Sequence, residues 1–109
     1  MDKKNLVIAC GCGSNAGIIT IKMAEVLAAL GIETAALEDL KENMQLLKKV
    51  KGGVIALEGC QMMCVTSAME PEEIALKTFL LAENGVVKGI TEVTGKLVNE
   101  LVEKLKKQI

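Results

Sequence analysis

The sequence predicts a single α/β domain of three layers, with helices on both faces of an open parallel sheet. Two short, unbroken apolar runs, Leu6–Ala9 and Val54–Leu57, each end at a glycine-bearing turn, as strands buried on both faces do. Between and after them, apolar residues recur at helical spacing. The chain has 109 residues, enough for one core, so the domain is taken as residues 1–109.

Leu6–Ala9 is read as the first strand. Ser14 or Asn15 can cap the helix that follows, in which Ile19, Met23, Val26, Leu27 and Leu30 share a face while Lys22 and Glu25 point away. Gly31 ends that helix. Ile32–Leu37 is less apolar and reads as a strand nearer an edge. Glu38-Asp39 opens a second helix carrying Leu40, Met44, Leu47 and Val50, closed by Gly52-Gly53, and Val54–Leu57 is the third strand.

A short helix is expected over Gln61–Ala68, stopped before Pro71 because a residue preceding proline is pushed out of the helical region. Ile74–Leu81 could continue a helix starting at Pro71. A parallel sheet needs a strand after the crossover, however, and the Glu83-Asn84-Gly85 turn suits its end, so the segment is read as the fourth strand. Thr91 can cap the final helix, whose stripe is Leu97, Val98, Leu101, Val102 and Leu105.

Parallel strands joined by right-handed crossovers are the expected solution, and the strand order is read as 2-1-3-4, a Rossmann-like arrangement. The winding direction reverses between the first and third strands. Both glycine turns therefore fall side by side at the carboxyl ends of adjacent central strands, in the crevice where such sheets bind ligands.

Composition narrows the functional classes. Half of the residues are apolar, and Phe79 is the single aromatic, so the core is aliphatic and absorbance at 280 nm is nearly nil. Net charge is −1 and every basic residue is lysine. Without arginine there is no bidentate partner for phosphate or guanine, and nucleic acid is not expected as a ligand. Lysines 48, 49, 51, 104, 106 and 107 fall in the last turns of expected helices, where they offset the macrodipole. No run is long enough for a signal h-region or a membrane span, so a cytoplasmic protein without membrane association is expected. The apolar stripes fit a monomer or a weak homodimer.

All four cysteines lie in the two turns, as Cys10-x-Cys12 and Cys60-x-x-x-Cys64. In a reducing compartment, paired cysteines are metal ligands or redox thiols more readily than structural disulfides. Zinc takes four ligands in a tetrahedron at about 2.3 Å from sulfur, and Cys10, Cys12, Cys60 and Cys64 could provide them. Cys60 and Cys64 would share a face if their segment were helical.

Four thiolates around a divalent ion leave a net charge of about −2 to be compensated. Helix N-termini can supply that compensation, with Gly11, Gly13 and Gly59 letting backbone amides approach, and with Ser14, Asn15 and Glu58 as neighbouring polar groups. Three sulfurs plus water would serve equally and would make the ion a Lewis acid.

Other readings use the same residues. Cysteines are often small buried hydrophobes, but two pairs at one crevice argue against that. A thiol redox or sulfur-transfer enzyme is the principal alternative; with no histidine in the chain, activation would rest on a helix dipole, Glu58 or a metal. Glu58 suits a supporting or turn acceptor better than a general base. The Gly-rich loop at residues 11–17 resembles a phosphate cradle, but it lacks the P-loop lysine, and Ile18 stands where a Cys-x5-Arg anion loop needs arginine. Met62, Met63 and Met69 are read as packing residues.

Cys10 with Ser14-Asn15-Ala16-Gly17, then Glu58-Gly59-Cys60-x-x-x-Cys64-Val65, then Gly85-Val86-Val87-Lys88 resemble, in order and spacing, the DGC family, small proteins named for a central Asp-Gly-Cys motif. That resemblance implies a zinc site drawn from cysteines, with no assigned biochemical role. Cys10, Cys60 and Cys64 match the family's cysteines, and Glu58 stands where the motif has aspartate. The family pattern has a further cysteine after the second strand, where this chain reads Ala35-Ala36-Leu37-Glu38; Cys12, at a position that is usually glycine, is expected to substitute for it.

Overall fold

The structure, a computed structural model, describes residues 6–11, 13–38, 54–59, 63–69 and 76–108. Four strands, β1 (Leu6–Ala9), β2 (Glu33–Ala36), β3 (Val54–Glu58) and β4 (Leu76–Leu80), form one sheet in the order β2-β1-β3-β4. All three pairings are parallel, as the sequence predicts. The described helices are α1 (Asn15–Ala29), α2 (Cys64–Met69) and α3 (Gly95–Lys106).

Alternation along the strands builds the three layers. Val7, Ile55, Leu57 and Phe79 point to one face, where Ile19, Met23 and Leu27 of α1 and Val98, Leu101, Val102 and Leu105 of α3 complete the larger core. Leu6, Ile8, Val54 and Ala56 point to the other, packed with Leu37 and with Val65 and Met69 of α2. A right-handed crossover from β1 outward to β2 and another from β3 outward to β4 run in opposite directions, so their helices must lie on opposite faces. Each fully buried Leu, Ile, Met or Phe side chain contributes about 1.5–3 kcal/mol to this assembly.

The edges follow composition. Every residue of β1 and β3 is buried, whereas Glu33 of β2 and Lys77 and Thr78 of β4 are exposed. Of the fourth strand read over Ile74–Leu81, Leu76–Leu80 is a strand paired with β3, Leu81 instead begins the 3-10 turn Leu81–Asn84, and Ile74 and Ala75 lie outside the described residues.

Caps set the helix ends. Ser14 is the N-cap of α1, accepting the Gly17 N–H at 3.3 Å. The helix closes in a Schellman motif: Gly31, at φ 88°, donates to the Ala28 carbonyl, and Ile32 donates to that of Leu27. Ile32 also packs on the core that holds Leu27, the apolar contact that accompanies such a cap.

Three expectations are corrected. The second strand stops at Ala36, and Leu37 and Glu38 are already helical, with Leu37 buried under the sheet rather than extended along it. The rest of the expected second helix, with Leu40, Met44, Leu47, Val50 and its closing Gly52-Gly53, lies outside the described residues. Thr94, not Thr91, caps α3, accepting the Leu97 N–H at 3.1 Å. Val93 and Val98 flank that cap and both join the larger core, the placement of a hydrophobic staple. Finally, of the expected helix over Gln61–Ala68, Gln61 and Met62 lie outside the described residues, Met63 is not helical, and the helix is Cys64–Met69.

Candidate functional site

The site is set by where β1 and β3 end. Their register pairs Ala9 with Leu57, and the ladder runs one step further, Cys10 N–H donating to the Leu57 carbonyl at 3.1 Å. Cys10 and Glu58 are thus neighbours at the switch point. By the same alternation that aims Leu6, Ile8, Val54 and Ala56 at α2, both side chains point to the α2 face.

The Cys10 thiol is half-buried and accepts the Gly59 N–H at 3.2 Å. That bond joins the two cysteine turns directly, because Gly59 immediately precedes Cys60. Glycine suits position 59 for a steric reason. A Cβ here would sit 3.0 Å from the Ala16 carbonyl carbon, so any larger residue would force the β3 turn and the first turn of α1 apart by a few tenths of an ångström.

Thr20 secures the other side of the turn. Its hydroxyl, fully buried, donates to the Gly17 carbonyl at 2.7 Å and accepts the Gly11 N–H at 3.1 Å. It also lies 3.8 Å from the Cys10 sulfur. Gly11 has φ 59° and is exposed, as is Gly13.

Glu58 is fully buried, and protein donors hold both of its oxygens. Oε1 accepts the Val65 N–H at 3.1 Å; Oε2 accepts the Thr66 N–H at 2.8 Å and the Thr66 hydroxyl at 2.7 Å. These are first-turn N–H groups of α2, which no carbonyl within the helix can reach. The carboxylate therefore fixes α2, and Cys64 at its start, to the end of β3. This is the supporting role expected of Glu58.

Cys64 packs, with Cys10, on the smaller apolar cluster, so the two described cysteines share one face of the sheet. Met63 before it has φ 50°, the only positive φ of a non-glycine residue among those described. A right-handed helix cannot run through that residue, so the argument that Cys60 and Cys64 share a helical face does not apply. Cys12 and Cys60 themselves lie outside the described residues. Among the described residues no group of three or more His, Cys, Asp or Glu side chains is placed to hold a metal ion.

Asn15 acts as a clamp. Its Nδ2 donates to the carbonyls of Val87 at 3.1 Å and Thr91 at 2.7 Å, while Oδ1 accepts the Gly89 N–H at 2.6 Å. Thr91, freed from capping, accepts the Val87 N–H at 2.7 Å and closes the same loop. Asn15 thus fastens the start of α1 to residues 87–91.

Thr20 and Thr66 were not singled out by motif. Thr20 lies on the buried stripe of α1 with Ala16, Ile19, Met23 and Leu27, and a hydroxyl on such a stripe must find partners. That was the available signal. Nothing in the spacing marks Thr66 as the partner of Glu58.

Fold and site together define a small, doubly wound α/β protein with thiol-bearing turns at its topological switch point. The DGC domain model matches residues 6–108, and the chain belongs to the DGC domain family. Neither the curated proteins nor the solved structures contain a match to it. No helix among the described residues is long and apolar enough to cross a membrane.

Proposed function

We propose that this protein binds a thiophilic metal ion, zinc in the first instance, through thiolates of Cys10, Cys12, Cys60 and Cys64. One observation carries the reading: the Cys10 sulfur accepts the N–H of Gly59, the residue next to Cys60, across the β1–β3 switch point. Amide donors to sulfur favour the deprotonated form that a metal requires. Cys64 on the same sheet face as Cys10 supports it further. With no histidine in the chain, sulfur is the available soft donor. Paired reduced thiols fit a cytoplasmic setting. A zinc ion held this way would cross-link the two turns and, with one position left to water, would also serve as a Lewis acid.

The test is elemental analysis of protein purified without added metal, with thiol titration before and after chelation. About one zinc per chain, with thiols protected until the chelator is added, supports the proposal. Metal-free protein carrying one unusually reactive thiol or a ready Cys60–Cys64 disulfide overturns it in favour of a thiol redox or sulfur-transfer role.

A further inference from the structure

Thr20 places a buried hydroxyl beside the Cys10 sulfur, and its bonds define what it offers. In the arrangement described above its single proton is committed to the Gly17 carbonyl. The oxygen then presents lone pairs toward Gly11 N–H and, at 3.8 Å, toward the Cys10 sulfur, where a thiol proton can meet one of them. A sulfur without that proton meets a lone pair instead. Turning the hydroxyl about its Cβ–Oγ1 bond removes the conflict by aiming the proton at sulfur. The cost is small, because the α-helical ladder also gives the Gly17 carbonyl the Ile21 N–H.

We propose that Thr20 is a positioning residue for Cys10: its hydroxyl turns from the Gly17 carbonyl to the sulfur when Cys10 carries a metal. The thiol proton leaves to solvent as the metal–sulfur bond forms, and the Thr20 proton moves only by rotation, so nothing is oxidised or reduced. Thr20 then joins the Gly59 N–H in donating to the sulfur. Its bond to Gly11 N–H holds the turn in register with α1 throughout. The inference rests on the metal-binding reading above and extends it to a residue outside the cysteine motifs.

The experiment compares the full chain with its Thr20→Val and Thr20→Ser variants, using cobalt(II) as the probe. Valine keeps the shape and loses the hydroxyl; serine restores the hydroxyl. The expected result for Thr20→Val is a sulfur-to-cobalt charge-transfer band at longer wavelength and a loss of about tenfold in cobalt affinity. Thr20→Ser should return both to the parental values. A parental protein that shows the band, with an unchanged band and affinity in Thr20→Val, overturns the role of Thr20 and leaves metal binding standing. No charge-transfer band in the parental protein overturns the metal-binding reading instead. The hydroxyl–sulfur contact is then checked without metal, by the rate at which iodoacetamide modifies Cys10. Slower modification in Thr20→Val, restored in Thr20→Ser, supports the contact, and equal rates in all three proteins overturn it.

Discussion

Oε2 of Glu58 and the hydroxyl of Thr66 are 2.7 Å apart, joining the end of β3 to the first turn of α2 through a carboxylate with no exposure to solvent. Replacing Glu58 by Ala leaves two helix N–H groups and a hydroxyl without that acceptor, at a cost of about 3–5 kcal/mol. Gln supplies one acceptor oxygen and turns an NH2 toward a donor, so Glu58→Gln should cost about 2–3 kcal/mol. Asp keeps the charge, although it is one methylene shorter, and should cost less than Gln. Urea unfolding followed by far-UV circular dichroism ranks the three.

The Asn15 clamp makes a sharper demand on chemistry than on size. One end of the amide must donate twice, to Val87 and Thr91, and the other must accept from Gly89. Asn15→Ala should cost about 1–2 kcal/mol and raise amide hydrogen exchange across residues 87–91. Asn15→Asp should be at least as damaging at neutral pH, because one carboxylate oxygen then faces two carbonyls. A milder effect for Asp than for Ala would contradict the assignment of the amide.

At Gly59 the limit is space. An alanine Cβ would meet the Ala16 carbonyl carbon at 3.0 Å and push the β3 turn away from α1. Gly59→Ala should destabilise the chain by about 1–3 kcal/mol. It should also lengthen the Gly59 N–H bond to Cys10, and under the metal-binding proposal zinc affinity, measured by competition with a chromophoric chelator, should fall with it.

The two threonines near α3 have separable roles. Thr94→Ala removes the helix cap and should cost about 1 kcal/mol, read as a lower thermal midpoint. Thr91→Val removes the acceptor of Val87 N–H. Its effect should concentrate in hydrogen exchange of the 87–91 loop, with α3 little changed.

Those threonines also show where local reading stops. Thr91 and Thr94 are equivalent as capping residue types, and the choice is made by tertiary contacts: Asn15 holds the Thr91 carbonyl, while Val93 and Val98 pack around Thr94. The central strands were legible because continuous apolar runs such as Leu6–Ala9 have few alternatives in a chain of this length. The order β2-β1-β3-β4, as read from the sequence, brings the Cys10 turn against Gly59. The reversal at Met63 was not legible, since a φ of 50° at a non-glycine residue leaves no trace in composition or spacing.

Asn15 meets Gly89 across 74 positions of sequence, and this sets a timetable for the newborn chain. At about 5–20 residues per second, translation reaches the far partner roughly 4–15 seconds after the clamp residue is made. α3, which packs beside α1 on the same face of the sheet, is later still. During that interval the start of α1 has neither its fastening nor its neighbouring helix, so the Cys10 turn is made well before the contacts that seat it.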